Sequence, residues 1–157
     1  MESRKEVYQL VIQEEIKAQN LYKTLAKALN KTDSEDIFEK LIKIEKIHEE
    51  KIIELFNNEF PQQELNIDRN LTPKVENDID LESPEKALRF AISKEEDAQQ
   101  IYLELASGAE NLKNKELFEK FAADERNHKK LLEDEISRLG GLMTWFDESE
   151  LNGLMEY

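Results

Sequence analysis

Residues 44–50 read "IEKIHEE". Glu45 and His48 are three positions apart, so on a helix they share a face. Their neighbours say which face. Phe38, Leu41, Glu45, His48, Ile52 and Leu55 alternate steps of three and four, the spacing of a single seam down a helix. A buried seam calls for apolar residues, and here an acid and an imidazole interrupt it. Glu fills roughly one position in six of the chain, so one Glu-x-x-His taken alone means no more than a solvated helix face.

The pattern does not stand alone. A shift of 80 residues superposes the chain on itself: Ile12 meets Ile92, Glu15 meets Glu95, Ala18 meets Ala98, Gln19 meets Gln99, Tyr22 meets Tyr102 and Leu25 meets Leu105. The register then resumes without slipping, "FEK" at 38–40 on "FEK" at 118–120, Glu45 on Glu125 and His48 on His128. The chain is thus two copies of one helical hairpin. Its other seams run Tyr8, Val11, Glu15, Ala18, Tyr22, Leu25, Leu29, then Leu88, Ala91, Glu95, Ala98, Tyr102, Leu105, Ala109, then Phe118, Phe121, Glu125, His128, Leu132.

Punctuation bounds four helices, at roughly 3–29, 34–57, 84–110 and 114–138. Ser3 with Glu6 reads as a capping box, and Ser83 before Pro84 as an N-cap with proline at the first helical position. Asn30 to Ser34 and Asn111 to Asn114 read as the hairpin turns, and Gly140 with Gly141 as the stop of the last helix. The expected organisation is an all-α bundle over 1–139, with hairpins 3–57 and 84–138, followed by a tail over 140–157. Residues 58–83 are far too long for a tight turn and fit a crossover along the full bundle, as in ferritin-like bundles.

Glu15, Glu45, Glu95 and Glu125, with His48 and His128, all fall on seams. Each acid lies about as far from its hairpin turn as its partner on the next helix, so the six side chains converge on one mid-bundle layer. Each buried ion left unpaired there costs several kcal/mol. Two divalent cations balance four ionised glutamates, and carboxylate oxygen with imidazole nitrogen suits iron or manganese. One Glu from each of two helices and a Glu-x-x-His from each of the other two is the donor pattern of di-iron and di-manganese carboxylate bundles.

Composition narrows the classes further. The formal net charge of −14 disfavours nucleic acid and anionic membrane surfaces as partners. The chain has no cysteine, which excludes disulfides, thiolate catalysis and sulfur-ligated metal in these residues. No stretch approaches the ~18 apolar residues of a membrane span, and a soluble cytoplasmic protein is expected.

Through "EEIKAQNLY", "IEKIH", "EEDAQQIY" and "DERNH" the four helices resemble the rubrerythrin branch of the ferritin-like superfamily. The resemblance implies a ferritin-like four-helix bundle holding two iron ions, with manganese as the other metal. It implies terminal ligands at Glu15 and Glu95, bridging ligands at Glu45 and Glu125, and one imidazole per metal from His48 and His128. Tyr22 and Tyr102 look like the tyrosines that hydrogen-bond ligand carboxylates, their plainer reading being aromatic core. The implied activity is reduction of hydrogen peroxide to water, an oxidative-stress defence, with electrons from a rubredoxin-type donor. With no cysteine in the chain, that donor is a separate protein. Many members also carry a further Glu three residues after the third-helix ligand; here that residue is Ala98, giving a six-ligand set as in bacterioferritin-type ferroxidase centres. Ala18 and Ala98 leave space for an oxidant or simply let helices approach. A ferroxidase acting on oxygen and a metal-free interaction module are the competing functions. A homodimer is expected, and the tail "LMTWFDESELNGLMEY" either closes the core or docks a partner.

Overall fold

In the computed structural model the described residues form four helices: α1 (Arg4–Ala28), α2 (Glu35–Glu59), α3 (Pro84–Ser107) and α4 (Leu112–Glu156). Residues 3–29, 35–72 and 83–156 are described, with Glu35 and 141–156 described by backbone alone. The turn expected at 30–34 and part of the crossover, 73–82, lie outside the described residues. Among the described residues no helix is long and apolar enough to cross a membrane.

The helix starts follow the local chemistry. Ser3 Oγ accepts from Glu6 N at 3.3 Å while the Glu6 carboxylate accepts from Ser3 N at 3.4 Å, which closes the capping box. Ser83 accepts from Lys86 N, and Pro84 needs no partner in the first turn. The second hairpin turn differs from its expected place. α3 ends at Ser107, where the Gly108 N–H bonds Glu104 O at 3.0 Å, and Asn111 Oδ1 accepts from Asn114 N at 2.8 Å to start α4 early. Asn111 is thus a helix cap rather than a turn interior, and that choice shortens α3.

The glycine pair does not stop α4. The helix continues through Gly140 and Gly141 to Glu156, 45 residues or about 67 Å against about 37 Å for α1. Glycine inside a helix costs only about 1 kcal/mol relative to alanine, and no proline follows to bar continuation. The expected tail is therefore a helical extension; the side chains of Trp145, Phe146 and their neighbours lie outside the description.

Two apolar clusters build the core, one at each end of the bundle. One gathers Leu21, Leu25, Phe38, Leu41, Leu88 and Leu132; the other Val11, Ile12, Ile52, Phe56, Ala106 and Phe118. Along α1 the chain passes from the second cluster to the first, along α2 and α3 from first to second, and along α4 back again. Helices α2 and α3 are therefore parallel, and the end of α2 and the start of α3 lie at opposite ends of the bundle. The described part of the connection between them is tied down: Leu65, Ile67 and Leu71 pack on the second cluster, and Asn20 Nδ2 donates to Arg69 O at 2.9 Å and Leu71 O at 2.6 Å. Each fully buried Leu, Ile or Phe contributes about 1.5–3 kcal/mol. That apolar burial supports the polar layer lying between the clusters.

Candidate metal centre

Between the two clusters every seam carries its polar interruption. Glu15 from α1, Glu45 and His48 from α2, Glu95 from α3, and Glu125 and His128 from α4 are brought together, and none is more than 2% exposed. One donor atom from each of Glu15, Glu45, His48 and Glu125 lies within 4.8 Å of the others, and the same holds for Glu45, Glu95, Glu125 and His128. Glu45 and Glu125 belong to both groups. Each remaining Glu and His belongs to one, so the layer is two overlapping donor sets that share two carboxylates.

The contacts within it are close but poorly matched as hydrogen bonds. His48 Nδ1 is 2.8 Å from Glu125 Oε1 and 3.6 Å from Glu15 Oε1; His128 Nδ1 is 2.7 Å from Glu45 Oε1 and 3.5 Å from Glu95 Oε1. Yet both Nδ1 atoms, Glu45 Oε1, both oxygens of Glu125 and one oxygen each of Glu15 and Glu95 are buried without a hydrogen-bond partner. The distances fit ion pairs while the alignment does not fit donor and acceptor. Buried polar atoms are almost always satisfied in folded proteins, so a cluster of orphans facing one another is the signature of a missing common partner. Four carboxylates and two imidazoles fit two divalent cations in charge and donor chemistry.

The electrostatics agree. Burial lifts the carboxyl groups of Glu45 and Glu125 well above the usual carboxylate range, and the facing acids lift them further. For Glu15 burial acts the same way but is outweighed by bonds from Glu45, His48 and Tyr102, which hold it low. Burial pulls the imidazoles down, yet Asp124 and Glu15 push His48 up to about 9, and Glu45 and Glu95 push His128 up to about 10. Without cations the layer therefore retains protons, and divalent metal would displace them.

Tyr22 and Tyr102 do more than fill the core. Tyr102 Oη donates to Glu15 Oε1 at 2.6 Å, and Tyr22 Oη donates to Glu95 Oε1. Each tyrosine thus serves the acid of the other hairpin. Burial and those acids keep both phenols protonated far above neutral pH. Ala18 and Ala98 line a cavity of about 30 Å³ that reaches Glu15, Glu45, Glu95 and Glu125. That volume holds one or two water-sized molecules.

Asp124 is a neighbour of the site to which the sequence reading gave no role: its Oδ2 sits 2.8 Å from His48 Nε2. The available signal was a break in the repeat, since the position matching Asp124 is Ile44. A second omission is Glu49, 2% exposed next to His48 and held by Gln19 Nε2 at 3.0 Å and by Arg69 of the crossover at 2.5 Å.

The sequence profile of the rubrerythrin family matches residues 6–88 and again 86–150. The chain belongs to the rubrerythrin family. Its two matches divide close to the start of α3, so each helical hairpin falls within one of them. Two solved structures are similar to this one. One is a hypothetical protein from Pyrococcus furiosus, 26% identical, with a TM-score of 0.77 over 89% of this chain and 92% of that one. The other is an uncharacterised conserved protein from Magnetospirillum magnetotacticum MS-1, 25% identical, with a TM-score of 0.64 over 87% and 95%. Among curated proteins no match is found. Family membership and the buried Glu and His cluster are together compatible with a di-iron type of site.

Proposed function

We propose that this rubrerythrin-family protein is a two-metal oxidoreductase that reduces hydrogen peroxide to water, with two electrons from a separate rubredoxin-type protein and two protons. The observation that carries the reading is the pair of overlapping donor sets sharing Glu45 and Glu125, buried and with at least one unpartnered donor atom on each of the six residues. In this reading Glu15 and His48 would hold one metal, Glu95 and His128 the other, and Glu45 and Glu125 would be shared between them. The chemistry that two bound iron ions would supply is a pair of electrons for an oxygen–oxygen bond, and manganese would suit the same donors.

The chain's own groups supply the rest. Tyr102 and Tyr22, bonded to Glu15 and Glu95, fix those carboxylates and keep their phenolic protons. The cavity beside Ala18 and Ala98 has room for a peroxide-sized molecule next to the shared acids, and the apolar clusters on either side exclude bulk water. We further place the protein in the cytoplasm, acting against oxidative stress as a homodimer.

A ferroxidase that uses oxygen is the second reading, favoured by Ala98. The resemblance implies a seventh ligand there in many relatives, and here a methyl group lines the cavity instead. Stopped-flow oxidation of protein loaded with two ferrous ions per chain tests the two. Much faster oxidation by peroxide than by oxygen is expected; comparable or faster oxidation by oxygen rejects the peroxidase reading in favour of the ferroxidase.

A further inference from the structure

The two histidines occupy matching positions of the repeat but are held by different means. His48 turns Nδ1 toward Glu125 and Glu15, and its other nitrogen, Nε2, lies 2.8 Å from Asp124 Oδ2. An ionised carboxylate only accepts, so Nε2 carries a hydrogen, and the proton that metal would displace is the one on Nδ1, which faces the centre. The ring plane is also fixed, stacked on Phe121 with centroids 4.2 Å apart and 29° between planes.

His128 turns Nδ1 toward Glu45 and Glu95 in the same way, but its Nε2 is buried with no hydrogen-bond partner among the described residues. Both supports are lost at once in the repeat: the position matching Asp124 is Ile44, and the position matching Phe121 is Leu41. Among the described residues no carboxylate meets Nε2 of His128 to fix its tautomer from behind, and orienting the ring is left to the groups at the centre. Loss of such a hydrogen-bonding partner typically costs 10–100-fold in metal affinity.

We propose that the two metal positions are unequal, that the position formed by Glu15 and His48 with the shared Glu45 and Glu125 fills first, and that Asp124 is the positioning residue responsible. The inference rests on the two-metal reading above and adds an order to it. It concerns binding, so a redox-inert metal can test it.

The full-length, metal-free protein is titrated with Zn(II) while nitrogen-15 NMR follows the imidazoles, of which the chain has only two. The expected result is that the His48 signals move with the first equivalent and the His128 signals with the second. In Asp124→Ala the first step weakens 10–100-fold and the order disappears. Asp124→Asn, whose carbonyl oxygen still accepts from Nε2, keeps the order with a smaller gap. Ile44→Asp, which offers His128 the same partner, tightens the second step. His128 moving first, both histidines moving together in the unaltered protein, or Asp124→Asn losing the order as completely as Asp124→Ala would each overturn the proposal while leaving the two-metal reading intact. Neither histidine responding to Zn(II) would overturn both.

Discussion

The first hairpin and the second present the same acid, acid and imidazole at matching helical positions, yet their surroundings have diverged. Glu49, just after His48, is buried and clasped by Gln19 and by Arg69 of the crossover. Its counterpart Lys129, just after His128, lies near the surface and pairs with Glu96 at 3.1 Å. Asp124 supports His48, and Ile44 stands where His128 would need the same help. Arg69 of the connection reaches Glu49 of the first hairpin, a contact that breaks the match between the two repeats. Glu49, which touches Arg69, and Asp124, which touches His48 across the bundle, have lost the repeat, whereas Tyr22 and Tyr102, which reach each other's hairpin, have kept it.

The largest break in this comparison comes from the shared acids. Glu45→Ala or Glu125→Ala removes a donor from both sets, and metal content measured after loading with two equivalents should fall below one per chain, with activity lost alongside. His128→Ala should instead lose one metal and retain the other. Full occupancy in Glu45→Ala would contradict the sharing.

Next in size is the pH response of the metal-free layer. His48 and His128 have folded-state values of about 9 and about 10, above the ordinary imidazole value, and Glu45 and Glu125 are raised as well. A raised value means the folded state binds the proton more tightly than the unfolded chain does. The histidine contribution is thus complete below about pH 6.5 and is lost as pH climbs through 9 and 10. The raised acids act in the same direction above about pH 4.5, while the lowered Glu15 works oppositely, losing its contribution as pH falls through its folded value. Melting temperature in chelator should therefore drop from pH 6.5 to pH 10, and two equivalents of metal, which displace the protons, should raise and flatten the curve. Parallel curves with and without metal would contradict the assignment of these groups as ligands.

A smaller effect separates clasp from centre. Arg69→Ala leaves Glu49 with Gln19 alone, and because Arg69 is more than half exposed the loss should be about 1 kcal/mol, or roughly 2–4 °C in Tm. Metal stoichiometry should not change; loss of metal in this variant would tie the crossover to the site itself. Smallest of all, Gly140→Ala should stabilise by about 0.4–1 kcal/mol, since a Cβ there meets nothing within 4 Å and the residue lies inside a continuous helix. Destabilisation, read in the same thermal melt, would restore the glycine pair as a helix stop.

The six polar seam residues were legible because two independent regularities met on them, the three-and-four spacing that makes a helix face and the repeat that doubles it. The capping box at Ser3 and the proline start of α3 were legible because capping is local chemistry between residues three apart. Asn111 was legible as punctuation but not as a cap, since turn and cap use the same side-chain oxygen and only the backbone path separates them. Gly140 and Gly141 misled for a similar reason: glycine permits a helix end without requiring one.

The chain's own pattern was enough to establish a four-helix bundle with a mid-bundle layer of four acids and two imidazoles, because periodicity places residues on faces and faces must be buried together. Tertiary structure alone decided who touches whom across that layer. Tyr22 reaches Glu95 and Tyr102 reaches Glu15, not the acids of their own helices; Asp124 crosses to His48; and Arg69 comes from a connection whose path no periodicity describes. These pairings depend on how one helix sits against another, at distances of a few ångströms, and helical spacing constrains position only along and around a single helix.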